Sequence, residues 1–253
     1  MSVKTSRDPG QRAHLEKFKF TRYQSMDMAS PPTPTTPVSP DDYEIQIATV
    51  EDKDDILNFL QTFFFKDEPL NKYLGLISEE RPRCYDLEDF ALKDIDKEVT
   101  LKAVHNGRII GVCLNGILEK GYIDEEEDEV KDEKFRKIAK LLGRVAVESD
   151  VFSKFPDAKR AITTKIISVN GTYRGQGIAR ELMNKTRELA KNLGCGFMTV
   201  DCTSHFTALA LKKLGFELVY TLKYADYVDN GEVVFEPEPP HDAVTVYVQR
   251  ITV

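Results

Sequence analysis

A short glycine-rich segment offers the first chemistry in this sequence. Residues 174–180 read Arg-Gly-Gln-Gly-Ile-Ala-Arg and lie between an apolar run and an amphipathic stretch. Glycines let the backbone approach a ligand closely, and the free N–H groups at a helix start attract phosphate. The segment has no Gly-Lys-Ser/Thr ending of a P-loop, and Arg180 stands where the dinucleotide fingerprint needs a third glycine. It therefore predicts an anion cradle of another kind, and the alternative is a plain strand-to-helix turn.

Two further places carry side chains that could move protons. Glu68 precedes Pro69, which suits the first position of a helix, so this acid is either a proton acceptor or a capping residue. We expect Asp67 to be the cap instead. Residues 202–207 read Cys-Thr-Ser-His-Phe-Thr and place the hydroxyls of Thr203 and Thr207 four residues apart, on one face of a predicted helix.

Alternatives stay open at both places. Ser204 is a rival hydroxyl donor, Thr203 or Ser204 could simply cap the helix, and His205 is either an acid–base group or a packed side chain. In the run Phe63-Phe64-Phe65, the first two residues fit the buried face of a helix. Phe65 could then line a pocket for an aromatic substrate.

Hydrophobic periodicity predicts the elements that must position these groups. Strands are expected over residues 43–50, 99–104, 108–118, 161–169, 197–202, 216–227 and 244–251. Helices are expected over residues 52–65, from residue 69, and over residues 134–148, 177–192 and 204–214. Asn106-Gly107 indicates a hairpin between the second and third strands. The order favours one α/β domain over residues 42–253, with a single mixed sheet covered by helices.

Composition excludes several classes of protein. The formal net charge is −7, which argues against broad nucleic-acid binding. No apolar run approaches the roughly 18–20 residues that span a bilayer, and the first residues lack the apolar core of a signal peptide. The four cysteines form no Cys-x-x-Cys pair, which makes a disulfide framework or a zinc site improbable. We therefore expect a cytoplasmic monomer with no metal, nucleic-acid or membrane partner.

The net charge conceals two different segments. Residues 1–40 carry +3 and half of the 12 prolines, so we expect residues 1–41 to form a disordered Pro/Ser/Thr-rich tail. The remainder carries −10, with an acidic stretch at residues 124–133 that is typical of a solvated loop. Such a loop could also attract cations toward a site.

Several segments resemble a known family. Arg-x-x-Gly-x-Ala at 174–179 and Lys-Leu-Gly-Phe at 213–216 resemble the acetyl-CoA motif and the next helix-to-strand junction of the GNAT N-acetyltransferases. Residues 62–71, 167–179 and 231–237 resemble the insect arylalkylamine N-acetyltransferases, and the resemblance extends over residues 43–253. It implies the GNAT fold, a mostly antiparallel mixed sheet, and acetyl-CoA as co-substrate. It also implies direct acetylation of dopamine, serotonin, tyramine or octopamine in a ternary complex.

The resemblance also implies a role for each candidate residue. Glu68 matches the base that takes the proton of the amine, which is needed because an alkyl ammonium has a pKa of about 10. Thr203 and Thr207 match two serines that serve the departing thiolate. The resemblance implies that the backbone groups of Ile167, Ser168 and Val169 pair with the pantetheine arm. It also implies that the pyrophosphate is held by the backbone N–H groups of Arg174, Gly175, Gln176, Gly177, Ile178, Ala179 and Arg180. Polyamine or protein-lysine acetylation, or CoA binding without catalysis, are the alternatives.

Overall fold

The computed structural model describes residues 42–121 and 130–252 of the chain. The expected tail at residues 1–41 and most of the expected acidic loop lie outside these residues. The tail and its boundary therefore stay predictions, and everything below concerns the described part.

A seven-stranded sheet forms the centre of the fold. Its strands are β1 (Glu44–Ile47), β2 (Leu101–His105), β3 (Arg108–Glu119), β4 (Arg160–Val169), β5 (Phe197–Cys202), β6 (Glu217–Lys223) and β9 (Ala243–Arg250). Their order in the sheet is β1-β2-β3-β4-β5-β9-β6. Within the described residues, every neighbouring pair in this sheet is antiparallel except β4 and β5, which are parallel. The predicted mixed, mostly antiparallel α/β fold is confirmed. A separate short hairpin joins β7 (Val228–Asp229) to β8 (Glu232–Val233).

Seven helices belong to the described residues. They are α1 (Lys53–Phe63), α2 (Pro69–Leu74), α3 (Tyr85–Leu92), α4 (Glu133–Ser149), α5 (Val151–Lys154), α6 (Ile178–Asn192) and α7 (His205–Lys213). One buried cluster combines helices α1 to α5 with one face of the sheet, and includes Leu60, Leu141 and Phe197. A second cluster joins α6 and α7 to the other face, and includes Leu182 and Met198. The sheet is therefore covered on both sides.

Local sequence explains the elements that matter most for the site. The residues Asn106 and Gly107 both have positive φ, at 49° and 71°, which closes the predicted hairpin between β2 and β3. In α6, the buried residues Ile178, Leu182 and Thr186 recur every four positions, so one helix face packs on the sheet. This helix connects β4 to the parallel strand β5.

The structure differs from the sequence expectations in a few elements. Helices α3 and α5 and the β7–β8 hairpin were not expected. The strand predicted over 216–227 ends at Lys223, because Tyr224 begins a 3-10 turn and buries its ring. The Tyr224 hydroxyl then donates a 2.9 Å hydrogen bond to the carbonyl oxygen of Thr203. The end of β6 is thereby tied to the segment that follows β5.

Candidate active site

Strands β4 and β5 separate in the middle of the sheet. Their parallel pairing runs from Ala161 with Phe197 to Thr164 with Val200 and stops there. Beyond that point β4 continues to Val169 and pairs with β3 alone. The strand edge that faces away from β3 therefore presents backbone N–H and C=O groups that an extended ligand could pair with.

The three residues predicted on this edge lie where the sequence placed them. Ile167 is partly buried, whereas Ser168 and Val169 are buried. The Ser168 hydroxyl donates to the carbonyl oxygen of Phe63 at 3.3 Å, which ties the edge to the end of α1. The free edge is thereby fixed beside the loop that carries Glu68.

The glycine-rich segment forms a concave turn at the start of α6. Gly175 and Gly177 have φ values of 78° and 84°, in the left-handed region that favours glycine. A small cavity of about 110 Å³ lies against the segment and is lined by Val169 and by several residues between Tyr173 and Ala179. A Cβ at Gly175 would meet no atom within 4 Å, so the backbone there faces open space. Free N–H groups at the start of a 15-residue helix suit a pyrophosphate.

The side chains of this cradle have distinct contacts. Arg174 donates from Nε to the carbonyl oxygen of Val169 at 3.1 Å, so its guanidinium stabilises the turn itself. Gln176 donates to the carbonyl oxygen of Thr172 at 3.4 Å. Arg180 is exposed, and its guanidinium lies 3.1 Å from the position that a Cβ on Gly177 would take. Arg174 also lines the small cavity, whereas Arg180 lies beside Gly177 and pairs with Glu181 at 3.2 Å.

A tight loop between α1 and α2 orients Glu68. The carbonyl oxygen of Phe64 accepts hydrogen bonds from the N–H groups of Asp67 and Glu68, both at 3.0 Å. Asn71 is buried and donates its side-chain amide to the carbonyl oxygen of Phe65 at 3.1 Å. Pro69 then begins α2, as expected. The loop is therefore rigid on both sides of the acid.

Glu68, not Asp67, is the N-cap of α2, which corrects the expectation for Asp67. Oε2 of Glu68 accepts a 2.7 Å hydrogen bond from the backbone N–H of Asn71. Oε1 accepts a 2.7 Å hydrogen bond from the hydroxyl of Thr203, which lies 135 residues further along the chain. Burial raises the pKa of the Glu68 carboxyl above its ordinary value, against the opposing effect of these hydrogen bonds. A carboxylate with a raised pKa is a better proton acceptor.

The hydroxyl residues after β5 are arranged differently from the prediction. Helix α7 begins at His205 with Ser204 as its N-cap, so Thr203 lies before the helix and does not share a helix face with Thr207. The Ser204 side chain makes no capping hydrogen bond. The structure brings Thr203 to Glu68, whereas Thr207 is partly buried on α7. The four-residue spacing was interpreted as helical because the bend between β5 and α7 leaves no mark in the residue types.

Glu68 and Thr203 lie on the wall of a large cleft on the α1–α5 side of the sheet. The cleft is also lined by Phe64, Phe90, Lys165 and Asp201. Phe65, predicted as the substrate wall, is instead 1% exposed and packs in the core. Phe64 occupies the cleft in its place, because the chain turns between these two residues as α1 ends.

The sequence did not predict a role for three further residues of this region. Asp201 lies on β5 immediately beyond the last β4–β5 pair, and burial raises its pKa to about 6. Tyr224 holds the backbone of Thr203, and Nδ1 of His241 accepts the backbone N–H of His205 at 3.2 Å. Asp201 could have been singled out from the sequence, because it is an acid inside an apolar strand. Tyr224 and His241 could not, because their contacts depend on the tertiary fold.

Most of the chain matches the sequence pattern of one protein family. Residues 54–216 match the acetyltransferase (GNAT) family. The chain belongs to this family. GNAT enzymes use acetyl-CoA as co-substrate, and the matched region includes the splayed strands, the cradle, Glu68 and Thr203.

Solved structures agree with the family and differ in substrate. Arylalkylamine N-acetyltransferase 2 from Aedes aegypti is 34% identical, with a TM-score of 0.76, covering 83% of this chain and 99% of that one. A Drosophila melanogaster polyamine N-acetyltransferase that forms N-acetylagmatine is 26% identical, with a TM-score of 0.74, covering 83% and 100%. An agmatine N-acetyltransferase is 27% identical, with the same TM-score and coverage. The GNAT fold and acetyl transfer are thus common to these neighbours, whereas the amine is not.

The described residues also bear on membranes and metal ions. Among residues 42–121 and 130–252, no helix is both long and apolar enough to cross a bilayer. In the same residues, no group of three or more His, Cys, Asp or Glu side chains could hold a metal ion.

Proposed function

We propose that this GNAT acetyltransferase transfers the acetyl group of acetyl-CoA to the primary amine of an arylalkylamine such as dopamine, serotonin, tyramine or octopamine. The observation that carries the proposal is the hydrogen bond between Thr203 and Glu68 beside the splayed strands. It joins a proton acceptor to a hydroxyl donor at the place where the free edge of β4 would present a thioester. The 34% identity to the mosquito arylalkylamine enzyme supports the choice of amine.

Each part of the site would take one task. The backbone N–H groups of residues 174–180 hold the pyrophosphate, with Arg180 adding a positive charge at the mouth. The free edge at Ile167, Ser168 and Val169 pairs with the pantetheine arm and polarises the acetyl carbonyl, which stabilises the developing oxyanion. The aromatic rings of Phe64 and Phe90 on the cleft wall offer apolar surface to an aryl group.

Glu68 and Thr203 would manage the protons. The substrate enters mostly as an ammonium ion, with a pKa of about 10, and must lose a proton before its nitrogen can attack. Glu68 accepts a proton from the nitrogen, and the Thr203 hydroxyl serves the departing thiolate. Thr207 and Ser204 remain alternative donors for that last step.

The properties of two buried cysteines favour direct transfer in a ternary complex over an acyl-enzyme intermediate. Cys113 and Cys202 are buried, and burial raises the pKa of both thiols, that of Cys113 to about 11. A thiol with a raised pKa supplies little thiolate at neutral pH, so neither is suited to carry an acyl group. The cytoplasmic location and the monomeric state stay predictions.

A polyamine or agmatine is the second candidate acceptor. Two neighbours act on such amines, at 26% and 27% identity. The Asp201 carboxylate in the cleft could pair with a second positive charge on a diamine. Acetylation of protein lysines has no comparable observation among the described residues.

Steady-state kinetics with acetyl-CoA against dopamine, serotonin, tyramine, spermidine, agmatine and a lysine peptide tests the proposal. We expect kcat/KM to be highest for an aromatic amine. A preference for spermidine or agmatine would select the second candidate, and binding of acetyl-CoA without turnover of any amine would indicate a non-catalytic protein.

Replacement of the acid tests the assignment of Glu68. We expect Glu68→Ala to lower kcat/KM most below neutral pH, because free amine becomes scarcer as the pH falls. Glu68→Gln is the matched control for folding, since its amide oxygen can still accept the hydrogen bond from Asn71. An unchanged pH–rate profile in Glu68→Ala would exclude Glu68 as the base.

A further inference from the structure

Acetylation of an ammonium ion requires two protons to leave the nitrogen. One is lost before attack on the acetyl carbon, and the second is lost as the amide forms. One of the two ends on the CoA sulfur and the other in water. Glu68 already accepts two hydrogen bonds, one on each oxygen. A second acceptor would therefore relieve Glu68 of one of the two transfers.

Asp201 has the position for that second acceptor. It directly follows the last paired residues of β4 and β5, Thr164 and Val200, so it stands where the strands begin to separate. It lines the same cleft as Glu68 and Thr203. It lies two residues before Thr203, a spacing that returns side chains to one side of an extended chain.

The Asp201 carboxylate also has no other partner. Within the described residues it makes no hydrogen bond or ion pair, and its surroundings act on it through burial alone. The nearest basic side chain on the adjoining strand, Lys165, is paired with Asp94 at 2.7 Å. A partly buried, unpaired acid is costly, which points to a cationic ligand that pairs with it.

One of the bases that α4 places on the cleft wall is paired as well. On α4, Arg144 pairs with Glu148 at 2.7 Å, and the Tyr220 hydroxyl of β6 donates to the same carboxylate. From the loop before α2, Glu68 faces the cleft as a second acid. Glu68 and Asp201 both line the cleft near the splay, and among the described residues neither forms an ion pair.

We propose that the Asp201 carboxylate binds the substrate ammonium and accepts the first of its two protons, which leaves Glu68 to accept the second. This rests on the proposed function. In the first step R–NH₃⁺ and Asp201–COO⁻ become R–NH₂ and Asp201–COOH. The nitrogen then forms its bond to the acetyl carbon, the C–S bond breaks, and the second proton passes to Glu68. Thr203 passes its hydroxyl proton to the thiolate and takes up the proton held by Glu68, to which it is hydrogen-bonded, and Asp201 returns its proton to water.

The carboxyl of Asp201 is suited to this step. Burial raises its pKa to about 6, so it is ionised at neutral pH and is a stronger acceptor than an ordinary aspartate. Below about pH 6 it becomes protonated and can no longer bind an ammonium ion or take its proton.

The test compares a basic amine with a weakly basic one. Phenethylamine is mostly protonated at neutral pH, whereas its β,β-difluoro counterpart is much less basic and needs no first acceptor. We expect Asp201→Asn to lower kcat/KM for phenethylamine by about 10- to 100-fold, and for the difluoro amine by less than about 3-fold. Asp55→Asn, an exposed aspartate on α1 away from the cleft, is the matched control and should change neither.

Three outcomes would overturn the inference. These are an equal loss with both amines, no loss with either, or a loss confined to diamines, which would assign Asp201 to a second positive charge. Acetyl-CoA binding by calorimetry checks that Asp201→Asn is folded. The wild-type enzyme is assayed first: if it turns over no amine, the proposed function fails, whereas a turnover unaffected by Asp201→Asn refutes only the role of Asp201.

Discussion

Asp201 should make the protein less stable at neutral pH. Its ordinary pKa of 3.8 applies to the unfolded chain, and burial raises it to about 6 in the folded protein. Between these values the folded state binds more protons than the unfolded state, so this group lowers stability as the pH rises from about 4 to about 6. Above that range the full cost is present. Replacement by asparagine, which has the same shape and no charge, should remove the cost.

The magnitude follows from the size of the shift. A change of roughly two pKa units corresponds to about 3 kcal/mol, at about 1.4 kcal/mol per unit. This is an upper bound, because the asparagine amide must also be desolvated. For a domain of this size, each kcal/mol changes Tm by about 2–4 °C. We therefore expect Asp201→Asn to raise Tm by several degrees at pH 7.5.

The assay is urea unfolding of the wild type, Asp201→Asn and Asp55→Asn at pH values from 4 to 8. The two Asp201 forms should have similar free energies of unfolding at pH 4, differ increasingly up to about pH 6, and then keep a constant difference. Asp55→Asn should follow the wild type throughout. A difference that does not depend on pH, or an Asp201→Asn variant less stable at pH 7.5, would refute the reasoning.

Three further predictions concern the base, the cradle and the cleft wall. Thr203→Val removes a hydrogen bond that lowers the pKa of Glu68, so the acid limb of kcat/KM should move to higher pH, whereas Thr203→Ser should leave it in place. Gly177→Ala puts a side chain at a φ of 84°, at a cost of about 1–2 kcal/mol, and steady-state kinetics should give a higher KM for acetyl-CoA with little change in that for the amine. Lys165→Met leaves the buried Asp94 with only one of its two lysine partners, Lys97, and urea unfolding should report a loss of about 3 kcal/mol.

The long elements of the fold could be predicted from sequence because their patterns are strong. The helix from Ile178 to Asn192 repeats apolar residues at helical spacing, and Asn106-Gly107 specifies a tight hairpin. Helix α5 has only four residues, and the strands β7 and β8 have two each. Segments this short are held by tertiary contacts and leave no periodic pattern.

The site was predictable where a residue type and its neighbours act locally. The glycines at 175 and 177 and the acid before Pro69 are of this kind. The sequence could not show that Phe64, rather than Phe65, lines the cleft. The choice depends on where helix α1 ends, because the chain changes direction there. The bond between Thr203 and Glu68 spans 135 residues, and no local pattern could specify it.

From the sequence, capping and catalysis are alternative roles for Glu68. In the structure the two roles are compatible. One carboxylate oxygen caps α2 through the Asn71 N–H, and the other accepts the Thr203 hydroxyl. The cap fixes the orientation of the carboxylate, so Glu68 need not lose side-chain freedom when a substrate binds. Because Tyr224 holds the backbone of Thr203, the second contact is fixed as well. A residue that stabilises a helix start thus serves as a pre-oriented base. Changes to Thr203 should therefore alter the pH dependence of kcat/KM more than they alter the free energy of unfolding.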